Sequence, residues 1–191
     1  MTETVRTKRW TRLEYERLID LAVFGPGERL ELLGGQLLVR EPQGRPRATG
    51  IRLVAGALRA VFGSGWSIEA QLPVALDEES EPEPDIAVVV GEPRDYLGSH
   101  PSHPALVVEV ALASLALDRG GKASLYARAG VADYWIVNLV DHVLEVYREP
   151  VADPDAAYGW RYASTASLRR DDSVTPLALP GSAIPVSDLL S

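Results

Sequence analysis

Cysteine is absent from the 191 residues, which excludes disulfides, thiolate zinc sites, iron–sulfur clusters and cysteine nucleophiles together. Any metal must then be held by oxygen or imidazole, and the chain has only three histidines. Two of these, His100 and His103, stand in SHPSHP, where a proline beside each disfavours a helical ligand pair, and the segment reads as a surface loop. Long apolar runs are missing too. The longest, Ala105 to Leu117, carries Glu109 inside it and falls short of the ~18 residues of a membrane span. MTETVRTKRW has no apolar stretch of the signal-peptide kind, so a cytoplasmic location is expected. There is no glycine-rich phosphate loop, since Gly34-Gly35 and Gly120-Gly121 are too short, and no GxSxG elbow. Lysine is nearly absent: Lys8 and Lys122 stand against 17 arginines. An ammonium in mid-chain, where the sequence otherwise chooses arginine, points to a role for the amine itself, because burial can move its pKa.

What is present is the composition of an ordinary globular chain, 46% apolar and 24% charged, with a length that suits one domain. The net charge of −8 argues against nonspecific coating of nucleic acid, which relies on clustered Lys and Arg. The charge is uneven. Residues 1–59 hold 11 basic and 7 acidic residues, whereas the remainder hold 8 and 20. A basic face from Arg40, Arg45, Arg47, Arg52 and Arg59 is therefore confined to the front third, where it would track phosphates or simply aid solubility. Six of the nine residues in DEESEPEPD, 77–85, are acidic, and such a run reads as a solvated loop.

Thr11 and Glu14 have capping-box spacing before a helix over Arg12 to Ala22. RLELL, Gly34-Gly35 and QLLVR predict a β-hairpin, and PQGRP opens a loop. Apolar residues from Thr49 to Phe62 recur at helical spacing, ending at Gly63, and Trp66 to Leu76 reads as a strand. DIAVVV (85–90), ALVVEV (105–110) and DYWIVN (133–138) are short β-branched runs of the kind buried on both faces. A helix from Gly120 to Ala129, closed by Gly130, lies between the last two. A hairpin strand over Val143 to Arg148 follows, and the rest, 151–191, reads as an edge strand at Tyr158 to Ser164 with loosely packed ends.

Asp85 opens one Val-rich strand, Glu109 interrupts another, and Lys122 lies on the first turn of the helix that follows. A buried carboxylate needs a partner or a metal. If the two strands are neighbours, Asp85 and Glu109 converge on one divalent cation, and the helix returns Lys122 to the same place. Two carboxylates and an amine suit phosphodiester hydrolysis, and hard oxygen ligands favour Mg²⁺ or Mn²⁺. The plainer readings are a turn residue at Asp85 and an ion pair between Glu109 and Lys122. Tyr126, four residues after Lys122, shares its helix face.

PEPDIAVVV, ALVVEV, DRGGKASLYARAGVADYWIVN and VLEVYRE, with YERLIDL, RLELLGGQLLV and the PQG loop upstream, resemble the Uma-two type restriction endonuclease family, a branch of the PD-(D/E)XK nuclease superfamily. The likeness covers roughly residues 10–150. It implies an α/β (α+β) fold of the restriction-endonuclease-like type, a mixed β-sheet flanked by helices with an N-terminal helix and hairpin. It also implies the PD acid at Asp85, the second acid at Glu109, the lysine at Lys122 and an assisting Glu31 in ELLGG. The carbonyl of Val110 is expected to complete the metal set with Asp85 and Glu109. Four departures stand out. Ala111 occupies the position two after the acid, where the superfamily's simplest form has lysine; Arg47 stands where the family often has histidine and Asn138 where it often has aspartate; and EVALASL replaces a Ser/Thr-rich segment. The expected function is a Mg²⁺-dependent endonuclease with DNA as substrate, acting as a homodimer because an isologous pair supplies two active sites for a duplex. The alternatives are a non-catalytic scaffold that retains the fold, and a nuclease for RNA or branched DNA.

Overall fold

The computed structural model describes residues 6–25, 27–40 and 43–191. Thr11 and Glu14 exchange side-chain and backbone hydrogen bonds, and this capping box starts α1 (Arg12–Asp20). β1 (Leu30–Leu33) and β2 (Gln36–Val39) pair around Gly34 and Gly35, whose φ angles of 53° and 80° are those a two-residue primed turn needs. Pro42, the first residue of the expected PQG loop, lies outside the described residues, as does Glu41 before it. α2 (Arg45–Phe62) starts ahead of the expected Thr49, because Pro46 falls in the first turn, where its missing N–H is harmless and its fixed φ suits a helix. Arg47 is thereby a helical residue.

β3 (Trp66–Ala70), β4 (Ile86–Val90), β5 (Leu106–Ala111), β6 (Asp133–Asn138), β7 (Val143–Ala152) and β8 (Trp160–Leu168) form one sheet in chain order. All neighbours are antiparallel except β5 and β6, which are parallel. β3 is shorter than predicted, since Gln71 at φ 56° leaves the extended region and Pro73 has no donor for a ladder. The β5–β6 crossover is α3 (Leu115–Leu117), a π-turn over Asp118–Lys122, and α4 (Ala123–Arg128). It starts earlier than the expected Gly120 and closes at Gly130, φ 76°.

Two cores form on the two sheet faces. Ile51, Val54, Leu58 and Phe62 of α2 cover Ile86, Val88, Val108 and Val110, while Tyr126 and Ala127 of α4 cover Val107, Tyr134 and Ile136. Gly50 sets the α2 distance: a Cβ there would stand 2.8 Å from Val110 Cγ1. Two expectations are corrected. The tail is not loosely packed. Through β9 (Ser173–Val174) and β10 (Ile184–Pro185) it brings Val174, Ile184, Val186, Leu189 and Leu190 into the α2-side core, each at most 4% exposed. α2 lies over β3 to β5, so Trp135, Leu144 and Val146 need this second cover. Nor is the acidic run a solvated loop throughout. Ser80 and Glu81 are buried, because Leu32 and Glu81 exchange backbone hydrogen bonds at 3.3 and 2.7 Å and pin the segment to β1.

Candidate active site

Strand periodicity places Val107, Glu109 and Ala111 on the α4 side of β5, so Glu109 faces the crossover helix from within an apolar layer. Ile86 pairs with Val108, and continuing that register by one residue sets Asp85 alongside Glu109. The Val110 N–H donates to Asp85 Oδ2 at 2.8 Å. Lys122 Nζ stands 3.0 Å from Glu109 Oε1 and 3.2 Å from Glu31 Oε1. Tyr126 donates its hydroxyl to the same Glu109 oxygen at 2.9 Å, and Glu31 Oε2 accepts the Glu83 N–H at 3.2 Å. Glu31, Glu109 and Lys122 are thus in direct contact. Asp85 adjoins them through the Val110 backbone and is held by Arg47.

The lysine reaches Glu109 from a π-turn. Such a turn inserts a residue into the helical repeat and is frequent at functional sites; here it buries both Asp118 and Lys122. Burial works against the Lys122 ammonium, but Glu109, Glu31 and Asp118 outweigh it and raise its pKa, so the amine stays charged. The Asp118 carboxyl, which accepts from Ser114 at 2.6 Å, is pushed up to about 7 by burial and by Glu109. Burial and the charge of Glu109 also raise Asp85, against the opposing pull of Arg47.

A cavity of about 360 Å³ opens onto this cluster. Glu31, Arg40, Arg47, Asp118 and Lys122 supply its charged lining, and Leu38, Val39, Leu112 and Leu117 most of its apolar part. Asp85 and Glu109 have no exposed surface and adjoin the cavity through the cations they hold. Another cavity of about 320 Å³ beside Trp160 has no carboxylate in its wall.

Among the described residues, no three or more His, Asp or Glu side chains are grouped as a metal cage. The donor chemistry still fits a hard divalent cation. Glu109 Oε2 is buried without any hydrogen-bond partner, an open acceptor beside a second carboxylate. Asp85 fits once Arg47 moves, because Arg47 now bonds both of its oxygens.

Sequence reasoning placed Arg40 on an outer basic face, whereas its side chain is 6% exposed, 2.7 Å from Glu83 and 3.6 Å from Asp85. Arg45, Arg52 and Arg59 are exposed. Asp118 was missed, although its spacing of four residues from Lys122 is the signal for a shared helix face.

Residues 13–187 match the model of Uma2, described as "Putative restriction endonuclease". The chain belongs to the Uma2 family. The match spans every residue of the cluster and most of the tail, beyond the 10–150 of the sequence resemblance. The crystal structure of a "putative nuclease belonging to DUF820" from Anabaena variabilis ATCC 29413 superposes with a TM-score of 0.66 at 16% identity, covering 89% of this chain and 94% of that one. At that identity the likeness is one of fold, and the Uma2 chain has the expected restriction-endonuclease-like architecture, a mixed sheet flanked by helices. Among curated proteins, no relative matches the sequence. Among the described residues, no helix is long and apolar enough to cross a membrane.

Proposed function

We propose that this Uma2 protein is a metal-dependent endonuclease acting on DNA phosphodiester bonds. The observation that carries the reading is Lys122, held between Glu109 and Glu31 at the wall of an open cavity while the second Glu109 oxygen has no partner. Asp85 and Glu109, with the Val110 carbonyl, would hold Mg²⁺ or Mn²⁺. A divalent cation bound there supplies a Lewis acid for the phosphoryl oxygen and eases deprotonation of water. Lys122 stays protonated, so it orients the attacking water and stabilises developing negative charge rather than accepting a proton. Glu31 fixes the ammonium in place, and Tyr126 fixes the Glu109 carboxylate. Arg40, whose Nη2 is buried without a hydrogen bond, is placed to meet a phosphate oxygen from the cavity lining. A homodimer supplies the second site for a duplex.

Nicking of supercoiled plasmid in Mn²⁺ tests the chemistry. Lys122→Ala is expected to lose at least ~100-fold in rate, and equal nicking by both proteins would discard the assignment. One observation favours a second reading, a lapsed scaffold: Asp85 is already neutralised by Arg47. Calorimetry decides between them, because a scaffold takes up no Mn²⁺ at millimolar concentration.

A further inference from the structure

Asp85 is fully buried, and its acceptor sites are all in use. Arg47 donates from Nε to Oδ2 at 3.2 Å and from Nη2 to Oδ1 and Oδ2 at 2.9 and 3.0 Å. Gln71 adds a bond to Oδ1 at 3.3 Å and the Val110 N–H one to Oδ2 at 2.8 Å. A carboxylate offers about four lone-pair positions, so nothing remains for a cation. Of the two arginines nearby, Arg40 is anchored by Glu83 and 6% exposed. Arg47 is 17% exposed, lines the cavity and sits in the first turn of α2, and its guanidinium has no hydrogen-bond partner other than Asp85 among the described residues. It is the cation with somewhere to go.

Building on the cation site of the proposed function, we infer that Arg47 is a resident counter-cation: its guanidinium holds the position on Asp85 that a divalent cation must take, and cation binding drives it into the cavity. A buried carboxylate needs one positive partner, and either the guanidinium or the metal serves. The two therefore exclude each other, and the energy of the Arg47–Asp85 pair is subtracted from metal affinity. A phosphodiester in the cavity gives the displaced guanidinium a new anionic partner. Substrate and cation then favour each other's binding, as any two ligands that select the same state must.

Calorimetric titration with Mn²⁺ tests this without reference to activity. Arg47→Gln removes the charge and is expected to tighten Mn²⁺ binding by roughly 5- to 150-fold. Arg47→Lys keeps the charge and is expected to stay near the wild type, and Asp85→Asn is expected to abolish the gain. If the wild type binds Mn²⁺ through Glu109 and Arg47→Gln binds no more tightly, the counter-cation role is overturned and the metal site stands. If no form binds Mn²⁺ at millimolar concentration, the metal site fails, and the counter-cation role fails with it. A measurement on the unaltered protein guards against misfolded variants. During Mg²⁺ titration followed by NMR, the Arg47 Nε–H is expected to pass from slow to fast solvent exchange, and an unchanged signal at saturation overturns the inference.

Discussion

Asp85 and Asp133 each stand at the head of a central strand, each is fully buried, and each is surrounded by the same kinds of donor. Asp133 accepts from Arg148 at 2.8 and 3.3 Å, from Trp135 Nε1 at 2.8 Å and from the Leu177 N–H at 2.9 Å. Asp85 likewise has an arginine, a neutral side-chain amide and a backbone N–H. The difference lies behind the guanidinium. Arg148, although 27% exposed against 17% for Arg47, also donates to the Thr175 carbonyl at 2.7 Å and is clamped between sheet and tail, whereas the Arg47 guanidinium lines a cavity with no second anchor among the described residues. Asp85 also has Glu109 beside it, whose charge raises its pKa. A buried aspartate–arginine pair is therefore a structural rivet in one place and, in the function proposed above, a poised site in the other. The surroundings decide which, not the pair.

Three further experiments press on this contrast. Asp133→Ala leaves Arg148 and Trp135 without their acceptor and is expected to cost about 3–5 kcal/mol in urea unfolding, with Mn²⁺ binding unchanged. A cost below 1 kcal/mol would remove the rivet from the comparison.

Glu81 shows what a buried acid does without a close arginine, since Arg12 is 4.0 Å away. Burial, helped by the neighbouring Glu16, pushes its carboxyl up to about 7. The folded state then holds a proton that the unfolded chain releases at an ordinary carboxylate pKa. Between about pH 4.5 and pH 7 Glu81 holds more proton in the folded form than in the unfolded one, so its contribution to stability falls as pH rises through that window. The decline is expected to be on the order of 1–3 kcal/mol and to shrink in Glu81→Gln. An identical profile in the variant would assign the effect to other groups.

The smallest effect is expected at Asp85 itself. Asp85→Asn keeps an oxygen acceptor and leaves Arg47 the cavity to turn into, so a loss of only about 1 kcal/mol is expected. A loss as large as that of Asp133→Ala would make the two aspartates equivalent and erase the distinction.

Much of the candidate cluster was legible from residue order. Glu109 in a β-branched run and Lys122 as a rare ammonium were conspicuous because each violates its local pattern, and a violated pattern needs a reason elsewhere in the molecule. The capping box at Thr11 and the hairpin at Gly34-Gly35 were legible because their hydrogen bonds and dihedral needs are met within a few residues. The illegible parts depend on distant partners. Arg40 and Arg47 look like surface arginines until the sheet places Asp85 beneath them. Asp118 falls ahead of the helix expected from Gly120, and it is buried because the crossover starts earlier and passes through a π-turn. The tail appeared loose because β9 and β10 are two residues each, too short to signal a strand.

Residue order alone dictated the helical and extended segments, the tight turns and the candidates for chemistry, since these follow from forces acting over one or two turns of backbone. Which arginine neutralises which acid, which carboxylate oxygen is left open, and which of the paired arginines lines a cavity were settled only when the sheet closed. Electrostatic pairing depends on separation in space, and the chain brings Arg47, Asp85 and Val110 together across three different elements of the fold.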